Sequence, residues 1–340
     1  MVCSRRPVAA ALLGLALMMG LPQTLPAGAA PHSPTVAPVR PAKGISLQQL
    51  IEYWGPNARG VNSDFADMQA AGASWARVSL PYGTATVRMD RVVAAARAHH
   101  VRLLVVLGKP APLNDLGSPA SRAAYRSWVA RTVKRYRAGV TYWEVMNEPN
   151  LRSSWNIDNR PGSNKVLYAA AVRRYVALLA DAYRTVKANN PKAVVLFGGL
   201  SESTVERYLA VLLQTNAYRY FDVMSYHPFG RTPALVMSRF NALKTRLAKN
   251  PAWTRKAVWV TETGFNTSWT NKGGYVPNET LKARYLSQTI RGLYLATHRP
   301  VLWHTLHGAN DRNPGYGLET KSKGSLGTRR LPAFTAFRAL

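Results

Sequence analysis

Two short stretches of the chain carry acidic side chains of the kind that work in pairs. Asn147-Glu148-Pro149 closes one apolar run, and Thr261-Glu262-Thr263-Gly264 closes another far along the sequence. Two carboxyl groups facing one cleft suit the cleavage of a glycosidic bond. One is protonated and assists the departing oxygen, while the other is ionised and attacks or stabilises the sugar cation. A gap of about 5–5.5 Å between them gives retention of configuration, and a wider gap admits water and gives inversion. Sequence alone sets no such distance. Polar residues closing other apolar runs join the candidate set. In Ser225-Tyr226-His227-Pro228, Tyr226 can donate a hydrogen bond to Glu262 and keep it ionised, and His227 can contact sugar or Glu148; the choice between them stays open. Arg77 can hold Glu262 ionised or pair with Glu144 inside the fold. Glu144 and Glu148 lie four residues apart on one expected strand, so alternation puts both on one face.

The elements needed to bring these residues together are legible as a repeat. From about residue 44, short apolar runs alternate with longer amphipathic stretches, the pattern of successive βα units. Strands are expected near residues 44–53, 75–80, 101–107, 141–146, 193–197, 221–225, 257–261 and 301–306. Helices are expected up to residue 70 and near 90–100, 121–136, 165–189, 204–213, 233–249, 279–297 and 332–340. Eight units in series predict an α/β fold, a single-domain (β/α)8 TIM barrel, in preference to an open doubly wound sheet. No glycine-rich phosphate fingerprint follows the first strand. In such a barrel the reactive side chains sit at the C-terminal ends of strands, where Glu148 and Glu262 fall.

Arg5 and Arg6, the apolar run Ala9–Leu21 and Ala27-Gly28-Ala29 read as a secretory signal peptide over residues 1–29. Residues 30–43, with Pro31, Pro34, Pro38 and Pro41, read as a linker or N-terminal arm, and 44–340 as the barrel. A secreted, extracellular or wall-associated protein is therefore expected, with no integral membrane span after processing. Cys3, the only cysteine, lies before the apolar run, which leaves the rest of the chain without disulfides or thiolates. The formal net charge of +29 draws the protein towards polyanions. An anionic glycan substrate is one reading of that charge; solubility or wall retention is the other. No nucleic-acid recognition motif is present, so no specific nucleic-acid partner is expected. The histidine spacings, His99-His100 included, make no convincing metal set, and no Gly-x-Ser-x-Gly elbow is present. No metal or cofactor is expected.

Trp143-Glu144-Val145-Met146-Asn147-Glu148-Pro149-Asn150, together with Trp259-Val260-Thr261-Glu262-Thr263-Gly264-Phe265, resembles clan A of the glycoside hydrolases, nearest in type to family 39 and the related family 5. The resemblance covers most of the chain after residue 44. It implies a retaining enzyme with Glu148 as acid/base and Glu262 as nucleophile, and with Asn147 bonded to the sugar 2-hydroxyl. It also implies a tyrosine or histidine beside the nucleophile at Tyr226 or His227, an arginine at Arg77, and an aromatic floor under the sugar at Trp303. Trp155, Trp269 and Tyr275 are candidate outer platforms. His304 and His307 can face the cleft or the shell, and Asp311 can serve as sugar ligand or turn residue. The expected activity is a monomeric, endo-acting hydrolase of β-linked polysaccharide. An exo-β-glycosidase of xylosidase type and a non-catalytic polysaccharide-binding barrel are the alternatives.

Overall fold

Short apolar runs become strands here because a parallel sheet under helices is buried on both faces. In the computed structural model they are β1 (Lys43–Leu47), β2 (Trp75–Leu80), β3 (Arg102–Leu107), β4 (Tyr142–Asn147), β5 (Val194–Ser201), β6 (Val223–His227), β7 (Ala257–Val260) and β8 (Val301–Trp303). The structure describes residues 40–47, 50–55, 57–109, 118–155, 157–158, 160, 162–268, 274–308, 315–321 and 328–340. The expected signal peptide, most of the linker, Trp269 and Asp311 lie outside them. Neighbouring strands pair in parallel from β1 through β7, and β1 also pairs with β8, Gly44 meeting Trp75 on one side and Leu302 on the other. The seam between β7 and β8 closes at their ends. Thr263 N–H donates to Leu302 O (3.1 Å), and His304 N–H donates to Thr263 O (2.8 Å). The sheet is thus a closed barrel, and the open-sheet alternative is ruled out.

Long helices cover the barrel, among them Ala58–Ala70, Thr86–Ala98, Pro119–Tyr136, Lys165–Asn189, Pro233–Ala248 and Glu279–Thr297. Several start where a polar side chain satisfies a free backbone N–H: Asn57 accepts from Gly60, Ser118 from Ser121, Thr232 from Leu235 and Asn278 from Leu281. No helix among the described residues is long and apolar enough to cross a membrane.

The observed bounds differ from the expected ones where local signals are weak. β1 ends at Leu47, and a short helix, Leu50–Trp54, replaces the expected strand continuation. Lys43, expected in the linker, begins β1. β5 runs on through Gly198-Gly199 to Ser201, β6 begins two residues later than expected, and β8 stops at Trp303. An unforeseen antiparallel pair, β9 (Glu319–Lys321) with β10 (Thr328–Arg330), has too few residues to show alternation in sequence.

The barrel axis is filled in two chemically different layers. At the N-terminal end Trp75, Leu104, Leu196, Val223, Trp259 and Leu302 form an apolar plug. Trp75 and Trp259 meet edge to face at 5.0 Å, Tyr142 packs on both, and the Arg102 guanidinium lies 4.5 Å from the Trp75 ring. Above this plug the inward positions turn polar, at Ser46, Arg77, Glu144, Ser225 and Thr261, all fully buried. The plug fixes strand spacing beneath the polar layer. Trp259→Ala should therefore lower unfolding free energy by about 3–5 kcal/mol. Urea titration should show a lower midpoint at unchanged slope, and a loss under 1 kcal/mol would contradict the packing role.

Candidate active site

Alternation decides which side chains reach the barrel mouth. In β6, Val223 and Ser225 point to the axis, so His227 does too, while Met224 and Tyr226 pack against the helices. Tyr226 is therefore corrected out of the site: it lies in the outer core, where burial pushes its phenol pKa up. The same parity corrects Trp303. Leu302 enters the axial plug, whereas Trp303 turns outward, fully buried against Phe265, and donates from Nε1 to Tyr316 O (3.0 Å). It is no floor for a sugar. His304, the next residue, turns back towards the mouth.

Strand β4 breaks this parity. A regular strand sends Asn147 and Glu148 to opposite faces. Here Met146 and Glu148 adopt left-handed backbone conformations, with φ of 66° and 46°. Both neighbours then reach the centre: Asn147 Oδ1 accepts from Arg77 (2.7 Å), and Glu148 Oε1 lies 3.1 Å from His227 Nδ1. Such conformations cost about 1–3 kcal/mol each for residues other than glycine and persist only where surroundings enforce them. The enforcement is visible. Glu148 N–H donates to Gly199 O (3.0 Å). Asn150, fully buried, donates to Ser201 O and Thr204 Oγ1 and accepts from Ser201 N–H. Tyr175 OH donates to Val145 O and accepts from Gly198 N–H.

Arg77 sits at the centre of the polar layer with no exposed surface. It donates to both Glu144 oxygens (2.7 and 3.0 Å), to Asn147 Oδ1, to Ser46 Oγ (3.2 Å) and to Glu262 Oε2 (3.1 Å). Glu144 Oε1 also accepts from Gly199 N–H (2.9 Å). Glu144 is thus the internal counter-ion that lets a guanidinium be buried, and Glu262 takes the remaining donor.

His227 links the two candidate carboxylates. Its Nδ1 lies 3.1 Å from Glu148 Oε1 and 3.7 Å from Glu262 Oε2, so those oxygens stand at most about 6.8 Å apart, the limit set by adding the two distances. Nε2 lies 3.1 Å from Thr261 Oγ1. With the Thr261 hydroxyl donating to Nε2, the Nδ1–H is free to donate to Glu148. Gly199 gives the ring its space, since a Cβ there would fall 2.1 Å from His227 Nε2.

His304 Nδ1 lies 2.8 Å from Glu262 Oε1. Phe229 and Tyr316 hold the imidazole edge-on, at 6.1 and 5.0 Å between ring centres. Tyr316 is itself pinned: the fully buried Lys282 donates to the flanking carbonyls of Gly315 and Gly317 (2.8 Å each), and Trp303 to its own carbonyl. Burial raises the pKa of the Glu262 carboxyl, but His304, His227 and Arg77 together outweigh it and hold the group well below the usual carboxylate range. The two carboxylates differ in access. The Glu148 side chain is 20% exposed and that of Glu262 only 5%, so the first is the more open to solvent.

The other candidates separate cleanly. His307 belongs to the shell, 3.1 Å from Asp64 Oδ2 behind the barrel wall. Trp155 is buried and donates to Ala171 O, so it anchors a loop. Tyr275 is half-buried in a bridge with Asn266. Ser46, Thr261 and Gly199 had no signal in sequence, because hydroxyl and glycine positions acquire a role only from what faces them.

No protein-family model matches the sequence, and no curated protein matches it either. Solved structures do match its fold, and several of them are glycoside hydrolases. A family 39 glycoside hydrolase from the gut symbiont Bacteroides cellulosilyticus WH2 aligns over 88% of this chain at 21% identity and TM-score 0.65. A glucosidase from Croceicoccus marinus aligns over 81% at 16% and 0.60. This chain spans 62% of the length of each of those two. A family 1 β-glucosidase from Thermotoga maritima aligns over 88% of this chain and 96% of its own, at 10% identity and TM-score 0.63. The chain therefore has the (β/α)8 fold shared by these hydrolases.

Removing His304 from beside Glu262 raises the pKa of the carboxyl group, so on acidification the ionised form is lost at a higher pH. For His304→Asn, the acidic limb of kcat/KM should move to higher pH, as read from initial rates on an aryl β-glycoside. An unmoved limb would show that His304 does not set the charge of Glu262.

Proposed function

We propose that the chain is a retaining β-glycoside hydrolase that acts on an extracellular or wall polysaccharide, with Glu262 as nucleophile and Glu148 as acid/base. The observation that carries the reading is the placement of both carboxylates on one histidine nitrogen, within about 6.8 Å of each other. That upper limit excludes most of the range of about 6.5–9.5 Å in which a water is held between two carboxylates, and it admits the shorter gap of direct attack.

The chemistry follows from the two environments. A Glu262 oxygen attacks the anomeric carbon as the bond to the leaving oxygen breaks, and the Glu148 proton passes to that oxygen. Water then attacks the same carbon, gives its proton to Glu148 and frees the Glu262 carboxylate. Arg77 and His304 keep the nucleophile ionised between turnovers. Asn147, fixed by Arg77, presents its amide to the sugar 2-hydroxyl. The closed wall keeps these groups rigid, so their hydrogen bonds need no rearrangement as charge develops.

The export signal and the net charge of +29 read in the sequence fit action on long chains outside the cell, and internal cleavage is the form of the reaction we propose. Polysaccharide digests should show new internal chain ends, and proton NMR of the first product should show the retained anomer; the inverted anomer would overturn the mechanism. Glu262→Gln should abolish turnover with no loss of folding, and near-normal hydrolysis by that variant would remove Glu262 from its role. Glu148→Gln should lose about 10²–10⁴-fold on substrates with poor leaving groups and less on activated aryl glycosides. Tight glycan binding with no new reducing ends in the native protein would leave a binding barrel instead.

A further inference from the structure

Next to Asn147, on the side of β2, β3 and β4, the mouth opens into a cavity of about 630 Å³. Small-ligand sites span about 300–1,000 Å³. Pro81, Tyr82, Val106 and Met146 give it an apolar wall, while Ser79, Asn147, Ser153 and Ser154 supply polar edges. A sugar ring, with apolar C–H faces and hydroxyl edges, suits such a lining. Asn147 belongs to both this cavity and the carboxylate cluster, so a unit bound here neighbours the bond to be cleaved.

Among its described residues the same lining holds one cation, Lys109. Lys109 follows the end of β3, where Gly108 lets the chain pass close under β2. A Cβ at Gly108 would fall 2.8 Å from Leu80 O. Lys109 is half-buried, and its Nζ donates to Ser153 O (3.0 Å). Among the described residues it has no carboxylate partner, unlike Arg77, Arg122, Arg135 and Lys187, each of which has one. Burial lowers its pKa. A partly desolvated ammonium with spare donors is stabilised by an incoming anion. The overall charge of +29 draws the same class of ligand towards the mouth.

We propose that this cavity is a subsite for an acidic sugar unit, whose carboxylate or sulfate is held by Lys109 Nζ while its ring packs on Tyr82 and Met146. The proposal rests on the glycosidase reading above and narrows it to anionic β-glycans.

The test compares kcat/KM for β-linked polymannuronate with that for its carboxyl-reduced form, and for chondroitin sulfate with that for its desulfated form. The native enzyme should favour the charged member of at least one pair, and which pair responds tells carboxylate from sulfate. Lys109→Met should reduce that preference about tenfold, the weight of one charge-assisted hydrogen bond, and Lys109→Arg should keep most of it. Equal losses on charged and neutral forms would reduce Lys109 to a tie between two loops and overturn the proposal. So would a native enzyme that cleaves neutral β-glycans with no preference for acidic ones. If no β-glycan or aryl β-glycoside is cleaved, the glycosidase reading falls. Calorimetric binding of mannuronate and chondroitin sulfate oligosaccharides to native and Lys109→Met proteins then decides the subsite by itself. Binding that depends on Lys109 supports it, and equal or absent binding refutes it.

Discussion

A guanidinium with no access to water organises this molecule. Burying Arg77 without partners would cost several kcal/mol or more, so every donor it carries must find an acceptor in a fixed place. Glu144 takes two of them, and Ser46, Asn147 and Glu262 share the rest. Arg77 stands on β2 and these partners come from β1, β4 and the end of β7, so the requirement can be met only by a closed barrel with its strands in register. In return Arg77 sets the geometry of the mouth. It orients Asn147, and because Glu144 already takes two of its donors, part of the negative charge on Glu262 is left for the histidines to share.

That leftover charge explains why two imidazoles surround one carboxylate. His304 and His227 approach Glu262 from β8 and β6, and each is held from behind by groups without chemistry of their own: Phe229 and Tyr316 for His304, Thr261 and the space left by Gly199 for His227. The lysine and tryptophan that secure Tyr316 are both buried outside the reaction space. Positioning thus extends through the barrel wall into the helix layer, in line with the rule that reactive groups need a supporting shell.

The two layers on the barrel axis divide the work. The aromatic plug at the N-terminal end contributes packing and closes the tube, which frees the upper layer to be polar and strained. Two left-handed residues around Asn147 are tolerated because Asn150, Tyr175 and Gly199 bind the surrounding backbone on three sides. Strain of this kind at the end of a strand lets two adjacent side chains serve one site.

Much of this was legible without coordinates, for definite reasons. Eight alternations of apolar run and amphipathic stretch admit few folds, and strand ends with Asn147-Glu148 and Thr261-Glu262 placed the two carboxylates at the mouth. The pairing of Arg77 with Glu144 followed from alternation and charge. Parity was not legible at Tyr226-His227 or at Trp303-His304, because the two neighbours are equally suited to chemistry and a shift of one residue exchanges cleft for core. Neither was the break at Met146, which reverses that parity inside one strand. Ser46, Thr261 and Gly199 carry no signal at all as residue types. Sequence determined the kind of barrel and the pair of acids, since both rest on patterns local to each strand. Only the tertiary structure decided which imidazoles flank Glu262, since that depends on the direction each side chain takes from a closed and locally strained wall.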